Sequence, residues 1–62
     1  MSISRIKLEN ERILNSIQFL QEERERTFSK RKDDKLMKEI NGLWARYKNN
    51  EACIEQLERA GA

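Results

Sequence analysis

Two apolar stripes run along this chain at helical spacing, and they are out of step with each other by two residues. In the first half Ile3, Ile6, Ile13, Ile17 and Leu20 follow alternating three- and four-residue steps, with Asn10, Arg24 and Thr27 in the remaining slots. That is a heptad seam. In the second half Leu36, Ile40, Leu43, Tyr47, Ile54 and Leu57 repeat the pattern, with Asn50 in one slot. Carried on in register, the first seam would fall on Arg31, Asp34, Lys38 and Asn41, all polar. The second seam arrives two residues late, and two residues at ~100° each rotate a helical stripe by roughly 200°. One continuous helix would therefore show apolar faces on opposite sides, whereas a chain reversal brings the two seams together. The pattern predicts an all-α antiparallel helical hairpin.

The reversal is expected within Ser29 to Lys35, seven consecutive polar residues that interrupt both stripes. Cations at 30 to 32 suit a helix C-terminus, and Asp33 or Asp34 suits the next N-terminus, as cap and as a charge at its positive end. The expected elements are helix one over about 3–30, a turn at about 31–33 and helix two over about 34–59, in a single domain spanning 1–62. With no Pro and only two Gly, there are too few turn residues for a many-stranded fold. The turn dipeptide Asn41-Gly42 falls inside helix two, but Ile40, Leu43, Trp44 and Tyr47 keep helical spacing through it. A glycine within a helix costs only about 1 kcal/mol.

A chain of 62 residues can bury only about 60% of the surface that its unfolded form exposes. Leu14, Phe28, Met37 and Trp44 flank the seams and widen the apolar face beyond what one partner helix covers. The expectation is a homodimer in which two hairpins form a four-helix bundle. Its interface would use Ile13, Leu14, Ile17, Leu20 and Phe28 of the first helix, with Met37, Ile40, Leu43, Trp44, Tyr47, Ile54 and Leu57 of the second. Asn10 and Asn50 occupy seam slots, where a buried Asn sets register and partner number at some cost in stability. In a hairpin turning near residue 32 they come within about one helical turn of each other.

Chemistry has little to stand on. There is no His, no Gly-rich phosphate loop and one Cys, Cys53, so neither a nucleophile with its base nor a structural zinc set is present, and no cofactor or metal is expected. Glu22, Glu23 and Glu25 stand beside Arg24 and Arg26 as a charge-paired face rather than acid–base machinery. The chain is not expected to be an enzyme. No apolar run approaches the ~20 residues that span a bilayer, and the start of the chain lacks a signal-peptide apolar region, so a cytoplasmic setting without membrane contact is expected.

What remains are binding surfaces. Leu8 and Phe19 lie eleven residues apart on the side of helix one away from its seam, where they form a candidate surface for a protein partner. Arg24, Arg26, Lys30, Arg31, Lys32, Lys35 and Lys38 gather near the turn and form a candidate nucleic-acid surface. Acidic residues intersperse that stretch, the formal net charge is only +2, and no exposed aromatic is expected among the cations to stack bases.

The hairpin of about sixty residues without Pro resembles the Rop type of plasmid RNA-regulating protein in shape, and the short hairpin with Trp44 in its second helix looks like type III secretion needle co-chaperones of the YscE kind. Small size, mixed charge, a lone Cys53 and no catalytic residues are similar to the lambdoid bacteriophage early-region accessory proteins encoded between the exonuclease and excisionase genes. That last resemblance implies a regulatory role directed at host processes in a bacterial cytoplasm. The functional expectation is a non-enzymatic homo-oligomeric adaptor or regulator acting through protein–protein contacts. Its alternatives are an RNA- or DNA-binding regulator that uses the basic turn, and a purely structural oligomerisation module.

Overall fold

The computed structural model describes residues 2–61. Two helices, α1 (Ile3–Arg26) and α2 (Lys30–Gly61), pack antiparallel as a rod with extents of 49 × 14 × 13 Å. The heptad slots read from the sequence form the contact between them. Ile6, Asn10, Ile13 and Ile17 of α1 and Ile40 and Ile54 of α2 are buried, while Ile3, Leu20, Arg24, Thr27, Leu36, Leu43, Tyr47, Asn50 and Leu57 are half-buried. The centre of the core is Ile13, Ile17 and Ile40, with Leu20, Leu43 and Tyr47 against them. Every buried hydrophobic side chain among the described residues is an isoleucine. Its β-branch holds χ1 in one strongly preferred rotamer on a helix, so a narrow seam is filled with little rotamer freedom left to lose.

The turn lies earlier than the charge pattern suggests. α1 ends at Arg26 rather than near 30, the connection is Thr27-Phe28-Ser29 rather than 31–33, and α2 begins at Lys30. Thr27 takes extended backbone angles (φ −90°, ψ 138°), and its N–H closes the last turn of α1 on the carbonyls of Glu23 and Arg24. The Asp33 N–H donates to the Ser29 carbonyl at 3.0 Å, which starts α2 one turn before the acidic pair. Lys30, Arg31 and Lys32 therefore sit at the positive end of α2 instead of the negative end of α1. The macrodipole opposes this by only about 0.3–1 kcal/mol per exposed charge. Starting α2 early places Asp33 in the seam slot before Leu36, opposite Arg24. The two form a forked ion pair, Arg24 Nε to Asp33 Oδ1 at 2.7 Å and Nη2 to Oδ2 at 3.3 Å.

The hydrogen bond from Arg24 holds the Asp33 carboxyl below its usual value. A carboxylate whose folded pKa is depressed contributes stability above its unfolded pKa and loses it as pH falls through the folded value. Asp33→Asn should therefore melt at a lower temperature than the parent near pH 7. The gap should close as both proteins are titrated below about pH 4, followed by circular dichroism. A gap independent of pH would show that the pair does not hold the turn.

α2 runs unbroken through Gly42. A Cβ at that position would meet nothing within 4 Å, and its φ is not positive. The glycine therefore serves no turn or close approach, and its cost is the propensity term alone.

Candidate interaction surface

Packing the seam leaves much of the large apolar surface outside it. Leu8, Leu14, Phe19, Phe28, Met37 and Trp44 are exposed among the described residues. They fall on three separate parts of the rod.

The first is one flank of the hairpin. Lys7 pairs with Glu58 at 3.8 Å across the helices. Leu14 follows Lys7 by one heptad on α1, and Trp44 and Met37 precede Glu58 by two and three heptads on α2, so all belong to the same side. Leu14 also borders a shallow groove with Tyr47, Lys48 and Glu51. Leu14, Met37 and Trp44 are 40%, 39% and 36% exposed. Trp44 stands edge-on to Tyr47, with ring centroids 5.6 Å apart and planes at 86°, a favourable arrangement of ring quadrupoles that fixes the indole in place. The opposite flank is polar. There Arg46 pairs with Glu9 at 2.6 Å, and the heptad stripe through Arg46 reads Lys32, Glu39, Arg46, Cys53.

A polar layer sits beside the apolar flank. Asn50 Nδ2 donates to Asn10 Oδ1 at 2.9 Å, and Asn10 Nδ2 donates to Glu51 Oε1 at 3.2 Å. The two seam asparagines thus bond directly, within the one-turn distance expected from the sequence. Glu51 also raises the Tyr47 pKa above its ordinary value, first as acceptor of the phenol's hydrogen bond and then by its charge. No buried side-chain polar atom among the described residues lacks a partner.

The second part is the outer face of α1, where Leu8 is 48% and Phe19 61% exposed, as the sequence placed them. The third is the tip. Phe28, expected beside the seam of helix one and in the oligomer interface, stands in the turn and is fully exposed. The early end of α1 takes it off the helix, and its neighbours are Arg26, Lys30 and Arg31. An exposed aromatic does therefore interleave the basic cluster, contrary to the sequence reading. Of that cluster Lys30, Arg31, Lys32, Lys35 and Lys38 are exposed, while Arg24 is committed to Asp33. The residues expected to form the oligomer interface divide in the same way. Ile13, Ile17, Ile40 and Ile54 are consumed within the hairpin, Leu20, Leu43, Tyr47 and Leu57 are half-covered, and Leu14, Met37 and Trp44 remain open.

No group of three or more potential metal ligands occurs among the described residues, and no helix in them is long and apolar enough to cross a membrane. No family model, curated protein or solved structure matches the chain. What it shares with Rop-type and needle co-chaperone hairpins is the two-helix architecture.

Proposed function

We propose that the protein is a non-enzymatic interaction module: two hairpins associate through the Leu14–Met37–Trp44 flank into a four-helix bundle, and the outer faces, including Leu8 and Phe19, hold another protein. The observation that carries this reading is the balance of apolar side chains, five buried isoleucines against six large hydrophobics left exposed among the described residues. Isolated surface apolars are ordinary, but three that line one flank of a narrow rod are what a further helix pair would cover. The resemblance to lambdoid early-region proteins would place this activity in a bacterial cytoplasm as a modulator of host processes.

A second reading is favoured by Phe28. An exposed ring between cations is the element that single-stranded nucleic-acid binders use to stack a base while lysine and arginine track phosphates. One set of samples separates the two. Sedimentation across a hundredfold dilution should give a mass near twice 7.4 kDa. Phe19→Ala should lower capture of a protein partner while leaving mass and helicity unchanged. Titration with single-stranded RNA should show no binding that weakens steeply with salt. A monomer at every concentration would overturn the self-association, and tight RNA binding lost with added salt would select the basic tip instead.

A further inference from the structure

The α2 stripe on the open flank carries a charge pattern that selects its own occupant. At heptad spacing it reads Lys30, Met37, Trp44, Glu51, Glu58, a cation at the turn, two apolar side chains in the middle and two carboxylates toward the end of the helix. All five side chains are exposed. Such a stripe is self-complementary only when reversed. We propose that the occupant is a second copy of this chain, seated antiparallel about a two-fold axis between Met37 and Trp44, with Lys30 of each copy against Glu51 of the other and Met37 against Trp44. This rests on the self-association proposed above and adds its face, direction and register.

Three observations carry it. A parallel pair would set Lys30 on Lys30, Glu51 on Glu51 and Glu58 on Glu58, and like charges in juxtaposition reject a partner arrangement. The opposite flank offers no apolar centre, its stripe on α2 reading Lys32, Glu39, Arg46, Cys53. Glu51 is also held by the Asn10 amide of its own chain at 3.2 Å, so the charge that receives Lys30 is restrained before the partner arrives, and less freedom is lost on association. A two-fold axis makes every such contact twice, which doubles the effect of any single substitution.

The test uses the full chain and two exposed charges. Lys30→Glu puts an acid at the start of α2, where the helix favours it, and Glu51→Lys reverses the other member. Each variant alone confronts two like-charged pairs, and its dimer should be weaker than the parent's by about tenfold or more at low salt. In an equimolar mixture both pairs become opposite again, so sedimentation and mass spectrometry should show a heterodimer with affinity restored toward the parent's. Trp44→Glu should give a helical monomer. Variants that self-associate as tightly as the parent would overturn the register. A dimer that survives Trp44→Glu would overturn the face. A parent that is monomeric throughout would overturn the self-association reading itself. If Trp44→Glu fails to fold, Lys30→Glu still decides, because Lys30 is exposed and lies outside the Asn10–Glu51 hydrogen bond.

Discussion

Ile17→Ala should remove a large share of the stability of the hairpin. The side chain is only 3% exposed and lies in the centre of the core with Ile13 and Ile40. Truncating a buried isoleucine to alanine costs about 2–5 kcal/mol, combining lost transfer energy with the cavity left behind. A chain of 62 residues has only about 3–9 kcal/mol in total at the usual ~0.05–0.15 kcal/mol per residue. The variant should melt tens of degrees lower, or be largely unfolded at room temperature, when helicity is followed by circular dichroism. Ile17→Val should cost about 0.5–1.5 kcal/mol at the same site. Leu8→Ala, on the exposed outer face, should change stability by no more than about 0.5 kcal/mol. Equal losses at positions 8 and 17 would mean that the seam is not where the stability lies.

Asn10→Ala should be the next damaging change, at about 1–3 kcal/mol, because it removes a buried side chain from the seam together with both of its hydrogen bonds. Asn10 is buried and bonds both Asn50 and Glu51. Asn50→Ala should cost a similar amount, because it strands the buried Oδ1 of Asn10, with water able to reach the half-buried site and offset part of the loss. The double variant should cost less than the sum, with a coupling of about 0.5–3 kcal/mol measured by urea denaturation. Replacing both by leucine should leave stability near the parent's or above it, since a matched apolar layer removes both desolvated groups. Such a variant should lose the polar mark that opposes sliding of one helix along the other. Additive single losses would show that the asparagines are neighbours without being coupled.

The fold was legible because its seam obeys a strict rule of spacing. Each slot from Ile3 to Thr27 and from Leu36 to Leu57 is at least half-buried, polar members included. The two-residue phase slip alone required the chain to reverse. The exposed pair Leu8 and Phe19 was equally legible, being the apolar residues far from either seam. The turn was not. Charges at 30 to 32 suggested a helix end, but a surface charge near a helix terminus contributes only a fraction of a kcal/mol to about one, too little to set a helix boundary by itself. The signal lay in the spacing, since one more three-residue step back from Leu36 reaches Asp33 and one slot before Thr27 is Arg24. Misplacing the turn by a few residues also misplaced Phe28, which stands in the turn rather than beside the seam of α1.

The sequence by itself determined that there are two helices, which face of each is buried and that the chain folds back on itself. These follow from periodicity, a local property that survives whatever the helices pack against. Only the tertiary structure decided where the reversal falls, that Asn10 and Asn50 bond to each other and to Glu51, and which apolar side chains stay uncovered on one flank. Those depend on the axial register of two helices, set by atomic contacts between residues from nine (Arg24–Asp33) to about fifty (Lys7–Glu58) positions apart. A stripe of sequence carries no record of which neighbour will stand across from it.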